Sequence, residues 1–229
     1  GADQPHIGSL NEKALHAALK AWYAQPGDEI EARVDGYVID VVRQDLLIEI
    51  QTGSFASLKR KLANLVTGHR VRLVYPIARE KWIVKLAADE RSQSSRRKSP
   101  KRGTFFDLFG QLVSFPALMK DPTFALEVLI VQEEELRRHV PGRAWRRKGW
   151  ITHERRLLEV LDRRVFSEPE VLAALLPQDL PDEFTTLDLA GTLGLKRRLA
   201  QQTAYCLREM GAIAQVGRRG NAILYGQKE

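Results

Sequence analysis

The chain has one cysteine, Cys206, among 229 residues. That excludes an internal disulfide framework and any zinc site built on cysteine thiolates, and it suits a reducing compartment. No stretch approaches the ~18 consecutive apolar residues of a membrane span. No basic-then-apolar leader precedes the first expected helix, so neither a bilayer crossing nor a secretory signal is expected. Acidic residues are also in deficit, 29 against 36 Lys plus Arg, for a net charge of +7 and a pI near 9.6. Such a balance suggests a polyanionic partner. The excess is local: six basic residues accompany two acidic ones in 88–103, and nine accompany three in 138–164. A hydrophobic content of 44% supplies real cores, and the length suits two domains. The expected setting is cytoplasmic and prokaryotic.

What the sequence does contain is a concentrated pattern from Tyr37 to Lys61. Tyr37–Val42 and Leu46–Gln51 are rich in Val, Ile and Leu, and only Arg43-Gln44-Asp45 interrupts them, which predicts two short buried strands. A two-residue turn at Gln44-Asp45 would pair Arg43 with Leu46, Val41 with Ile48 and Asp40 with Glu49. Val38, Asp40, Glu49 and Gln51 would then share one face, and Ile39, Val41, Ile48 and Ile50 the other. Opposed carboxylates with Cβ atoms roughly 5 Å apart are destabilising unless something neutralises them. A divalent cation would do so; solvation at the sheet end, or protonation of one acid, is the alternative. Beyond Gln51, Ser54 is a plausible N-cap for an amphipathic helix that stops at Gly68 and carries Lys59, Arg60 and Lys61 along the borders of its apolar face.

Asp40, then Glu49-Ile50-Gln51, then a helix with Lys59 and Lys61, resembles the PD-(D/E)XK nuclease superfamily, the restriction-endonuclease-like fold. The likeness covers residues 9–132 as an order of elements. It implies that Asp40 and Glu49 hold Mg²⁺ or Mn²⁺, with the Ile50 carbonyl completing the shell. Gln51 stands where the family usually has Lys, an ExQ variant, so a lysine recruited from the next helix, Lys59 or Lys61 rather than Arg60, would steady the nucleophile or the scissile phosphate. Solvated side chains with their stems on the apolar face are the plainer reading of these lysines. Glu12 lies in a capping box with Ser9 and in the family can assist the metal. Glu31, placed against Asp40 by a turn at Asp35-Gly36, is either a third metal-proximal carboxylate or a solvated edge residue.

Strands over 70–76 and 81–86 complete an α-β-β-β-α-β-β order, and 88–103 reads as a basic flexible loop. Phe105–Met119 predicts a buried helix, Ala125–Val131 a central strand, and Glu133–Glu135 the solvated start of a helix. In the basic connector 138–164, Arg143, Arg146, Arg147 and Lys148 alternate with Trp145 and Trp150, which would either stack on unpaired bases or pack the connector down.

Helices over 168–176, 186–193 and 196–210, then two strands around 217–221, are similar to a winged helix over 165–227. On its third helix Leu199, Thr203, Cys206, Leu207 and Met210 would face the core. Arg197, Arg198, Gln201, Gln202, Tyr205 and Arg208 would face DNA, with Arg218 and Arg219 at the wing tip.

The expected architecture is therefore α/β, a restriction-endonuclease-like mixed sheet flanked by helices over 1–137, a connector, and a winged helix-turn-helix domain over 165–229. Its expected function is metal-dependent DNA endonuclease action in repair or defence. A catalytically inactive DNA-binding adaptor and a winged-helix transcription regulator are the competing readings. Partners compatible with this are DNA, duplex or branched, a second copy in a homodimer, and a helicase or other repair or defence protein, with no membrane.

Overall fold

The computed structural model describes residues 7–87 and 92–227, and side chains from residue 14 to 226 within those ranges. α1 (Ile7–Tyr23) precedes three antiparallel strands, β1 (Glu29–Val34), β2 (Tyr37–Arg43) and β3 (Leu46–Ile50). A 3-10 turn at Phe55–Leu58, capped by the Ser54 hydroxyl, leads into α2 (Lys59–Leu65). Then come β4 (Arg70–Leu86), β5 (Gln93–Lys98), α3 (Phe109–Leu112), β6 (Phe124–His139) and β7 (Trp150–Phe166).

Among the described residues these strands form one mixed sheet in the order β1-β2-β3-β4-β6-β7, with β5 on the edge of β4. The β3–β4 and β4–β6 pairs are parallel and the rest antiparallel. The coarse expectation, α/β with a large mixed sheet flanked by helices, holds.

Both faces of the middle of the sheet are buried, as its near-continuous apolar runs require. On one face Leu15, Leu19 and Tyr23 of α1 cover Val41, Ile48, Ile50, Val74, Leu129 and Val131. On the other, Leu62 and Leu65 of α2 join Leu47, Leu73, Leu126 and Val128. That second core continues into the C-terminal unit.

This unit comprises α4 (Pro169–Ala173), β8 (Glu183–Phe184), α5 (Thr186–Leu193), α6 (Arg197–Glu209), β9 (Ile213–Arg219) and β10 (Ala222–Gln227), with a three-stranded antiparallel sheet ordered β8-β10-β9. Thr203, Cys206 and Leu207 of α6 and its C-cap Met210 are buried as expected, together with Ala200 and Ala204, while Leu199 is half-buried. The Cys206 thiol points at the Phe109 carbonyl, 3.8 Å away, and burial pushes its pKa up to about 12, so it is an inert core group.

Several expectations change along the long strands. β4 is one strand through Pro76, because Pro76 points its missing N–H toward the side that β3 has already left, where no ladder bond is required. Part of the expected loop 88–103 is β5: its polar residues pair with β4 from Trp82 to Leu86, where backbone bonding and two solvated faces suffice for a strand. Residues 133–135 are strand, not a helix start; β6 runs on to His139, and Glu133 and Glu135 are buried in it.

The supposed connector is largely β7, paired with β6 along its length. Phe105–Met119 is broken into short turns around α3, with Pro116 opening the last of them. α1 begins at Ile7, ahead of Ser9, and the side chains of Ser9 and Glu12 lie outside the described residues.

Because Phe109 sits in the core that joins the two units, Phe109→Ala should cost about 3–5 kcal/mol. It should also shift a single unfolding transition common to both units. Denaturant melts followed by tryptophan fluorescence and by far-UV circular dichroism should coincide; two separated transitions would contradict a shared core.

Candidate functional site

The β2–β3 ladder has the expected register, Arg43 with Leu46, Val42 with Leu47 and Val41 with Ile48. There the regular pairing ends. In place of a continuing backbone ladder, Asp40 Oδ2 accepts the N–H of Ile50 at 2.8 Å. The neighbouring peptide explains the direction: Gln51 N–H donates to Val74 O on the β4 side, so the N–H and carbonyl of Ile50 point the other way, toward β2.

The side-chain alternation breaks at the same point. Ile39 belongs to the core beneath α2, whereas Val41 belongs to the core beneath α1. The expected common face for Ile39, Val41, Ile48 and Ile50 is thus corrected.

The expected Asp40–Glu49 pair and its common face are corrected too: the ladder stops before Asp40, and the two carboxylates meet opposite helices. Asp40 is reached from α1 by His16, whose Nε2 lies 3.1 Å from the carboxylate. Glu49 is reached from α2 by Lys61, whose Nζ donates to Glu49 Oε1 at 2.6 Å and to the Val38 carbonyl at 2.7 Å. Glu49 Oε2 is buried and has no hydrogen-bond partner.

These environments set the protonation states. Burial pushes Asp40 up, but the hydrogen bonds from His16 and the Ile50 N–H outweigh it and hold the carboxyl below its ordinary value. For His16 the hydrogen bond to Asp40 outweighs burial and raises the imidazole. Burial dominates at Glu49 and raises it, the Lys61 hydrogen bond opposing and the Asp40 charge adding.

Other expected site residues lie elsewhere. Lys59 is exposed beside Tyr205 and Glu209, so of the two lysines it is Lys61 that bonds to Glu49. The Gln51 amide is tied into its own loop: Nε2 donates to Ser54 O at 3.0 Å and Ser57 Oγ at 3.2 Å, and Oε1 accepts from the Gly53 N–H at 3.2 Å. Glu31 has positive φ and pairs with Lys20 on the exposed side of β1, which corresponds to the solvated-edge reading. His16 was not anticipated. The available signal was its place in the α1 pattern, beside Leu15 and one turn before Lys20, on the border of the apolar stripe.

The family model described as Domain of unknown function (DUF8091) matches residues 13–167. The chain belongs to this family. The match spans the whole large sheet together with Asp40, Glu49 and Lys61. A protein of Treponema pallidum (strain Nichols) titled "Uncharacterized protein" is 32% identical over 222 residues, covering 96% of this chain and 86% of the relative. No solved structure matches the chain. The DUF8091 span closes one residue after β7, and the Treponema relative extends the likeness into the C-terminal unit.

Within the family span, the turn between β6 and β7 exposes Arg143, Arg146, Arg147 and Lys148, and Trp145 is 81% exposed with Arg146 over its ring. Trp150 packs instead, between His139 and Lys85. In the C-terminal unit, Arg197, Arg198, Gln201 and Tyr205 lie on one exposed face of α6, with Gln202 and Arg208 half-buried at its margins. Arg218 is exposed in β9, but Arg219 is turned back to Asp188 at 3.1 Å.

Among the described residues no three His, Cys, Asp or Glu side chains gather closely enough to enclose a metal ion. Two carboxylates and one backbone carbonyl do fit a hard divalent cation by donor type, and the unpartnered Glu49 Oε2 is the kind of atom a cation would satisfy.

The His16–Asp40 pair has a defined pH window. The His16 contribution is full below its unfolded pKa, ordinarily about 6.5, and fades as pH rises through its raised folded value. The Asp40 contribution is full above about 3.9 and fades as pH falls through its lowered folded value. His16→Ala should therefore destabilise more at pH 5.5 than at pH 8.5 in urea melts. Equal losses at the two pH values would contradict a charged pair.

Proposed function

We propose that the protein is a metal-dependent nuclease acting on DNA, a PD-(D/E)XK-type sheet domain carrying a C-terminal winged helix. The observation that carries this reading is the Asp40–Glu49–Lys61 arrangement at the opened end of the hairpin, with Glu49 Oε2 buried and unpartnered. Asp40, Glu49 and the Ile50 carbonyl would hold Mg²⁺ or Mn²⁺. Bound there, the ion would polarise the phosphate and lower the pKa of the attacking water.

The chain's own groups have separate tasks. Lys61 fixes Glu49 and presents an ammonium beside the carboxylate, in the place that Gln51 cannot take because its amide is engaged in the 51–57 loop. His16 and the Ile50 N–H keep Asp40 ionised and oriented. The exposed cations of the β6–β7 turn and of α6 supply phosphate contacts, and Trp145 supplies a ring for an unpaired base. DNA repair or defence is the setting proposed for such an enzyme.

A second reading, a non-catalytic DNA-binding adaptor, is favoured by one observation: Asp40 is already engaged by His16 and by Ile50, and Gln51 by its loop.

The two readings part on plasmid and branched DNA incubated with Mg²⁺ or with EDTA. The nuclease reading expects Mg²⁺-dependent nicking or cleavage that falls roughly a hundredfold or more in Asp40→Ala and Glu49→Ala. It expects a clear loss in Lys61→Ala and none in Lys59→Ala. Absence of products from wild type on every DNA and RNA form, with DNA binding unchanged in the carboxylate variants, would leave the adaptor.

A further inference from the structure

Between the end of β3 and the start of β5 no described strand pairs with this edge of β4, and a cavity of about 440 Å³ lies along the gap. Its floor holds charges that a sheet interior rarely accommodates. Glu133 is fully buried and Glu135 nearly so. Lys81 Nζ lies between them, 2.7 Å from Glu133 Oε1 and 3.2 Å from Glu135 Oε2. Arg155 donates to Glu133 Oε2 at 2.6 Å, and Arg137 Nε to Glu135 Oε1 at 2.8 Å. Ions out of water cost several kcal/mol each unless paired, so a network of this kind beside a cavity is a pointer to a ligand.

The sign of the ligand follows from the charges. Five cations and three carboxylates line the cavity, an excess of two positive charges. The ammonium of Lys81 already occupies the place between the glutamates that a metal cation would take. Donors remain at the mouth. The terminal nitrogens of Arg137 make no hydrogen bond among the described residues, and Arg147 comes only within 4.0 Å of Glu135. Lys101 is 81% exposed and comes only within 4.0 Å of Asp107. The rim is fixed by a close approach: Gly103 N–H donates to Ala78 O at 2.9 Å, and a Cβ on Gly103 would lie 2.6 Å from that oxygen.

We propose that this cavity binds a phosphomonoester. A dianion matches the charge excess, and Arg137, Arg147 and Lys101 supply its contacts. Glu133 and Glu135 serve to hold Lys81, Arg137 and Arg155 in place. The site shares no residue with the Asp40–Glu49 pair and does not require that pair to be catalytic. Hydrogen bonds join their neighbourhoods, from Arg155 Nη1 to Thr52 O and from the Phe55 N–H to Gln111 Oε1, both at 3.3 Å.

Isothermal titration on the full chain at constant ionic strength tests this with inorganic phosphate, deoxyadenosine 5′-monophosphate, deoxyadenosine, and one short oligonucleotide with and without a 5′-phosphate. Phosphate-dependent binding is expected, weakened about tenfold in Arg137→Gln. The doubly substituted Lys101→Ala, Arg147→Ala chain, altered only at exposed side chains, should also bind more weakly while melting like wild type. Asp40→Ala should bind phosphate as wild type does.

If the nucleotide binds and the oligonucleotide's 5′-phosphate adds nothing, the ligand is a free nucleotide. If the 5′-phosphate tightens the oligonucleotide and the nucleotide does not bind, it is a strand end. Either result supports the site. Phosphorylated and unphosphorylated probes binding alike would overturn it, as would unchanged affinity in both the Arg137→Gln and the doubly substituted chains, or loss of phosphate binding in Asp40→Ala.

Discussion

A single hydrogen bond, from the Ile50 N–H to the Asp40 carboxylate, sets the geometry around which the candidate site is arranged. It lies where the β2–β3 ladder gives way, and a carboxylate there accepts what would otherwise be an orphaned peptide donor. At the same residue the side-chain alternation of β2 changes phase, sending Ile39 to one core and Val41 to the other. Asp40 is thereby offered to His16 on one helix, while Glu49 remains with Lys61 on the other. Burial raises the Glu49 pKa and the nearby Asp40 charge adds to it, yet each acid has its own nitrogen partner, Lys61 or His16. This is a stable way to keep two carboxylates together without a metal, and it leaves Glu49 Oε2 unsatisfied.

The same sheet carries a second departure from an ordinary core. β4, β6 and β7 run far past the end of β3, so in its middle the edge of β4 meets only single peptide donors, the N–H groups of Gly103 and Ser99, before β5 pairs with it. Buried ion pairs stand among the aliphatic side chains of that stretch, such as Ile77 and Ile83. Lys81 and Arg137 outweigh the burial of Glu135 and hold its pKa at about 2, so the carboxylate remains charged across the ordinary pH range. Such networks are sensitive to losing one member, because the remaining charge is left buried and unpaired.

Much of this was legible in the residues. Apolar runs broken by turn dipeptides give the β1–β3 meander, because the two-residue turns fix its register and burial enforces it in β2 and β3. The apolar face of α6, with Thr203, Cys206, Leu207 and Met210 inward, followed from helical spacing alone. What periodicity could not reveal was the phase change at Asp40, since it depends on a side chain bonding to a backbone ten residues away. Nor could composition reveal β5, or the strand character of Glu133–Glu135. Charged residues read as solvent-facing until the pairing strand supplies their partners, here Lys81 and Arg155, 52 and 22 residues distant. His16 escapes periodicity for the same reason: its partner Asp40 lies on the sheet and not on its own helix.

The central claim is that Asp40 and Glu49 act together as the oxygen ligands of one divalent cation. The most direct measurement is titration of Mn²⁺ into the purified chain, by calorimetry or by loss of the free-ion paramagnetic resonance signal, for wild type, Asp40→Asn and Glu49→Gln. The account predicts one bound ion in wild type and its loss in each variant, with thermal stability in the absence of metal retained well enough to show that both remain folded. Wild type taking up no Mn²⁺, or folded variants taking it up as wild type does, would contradict it.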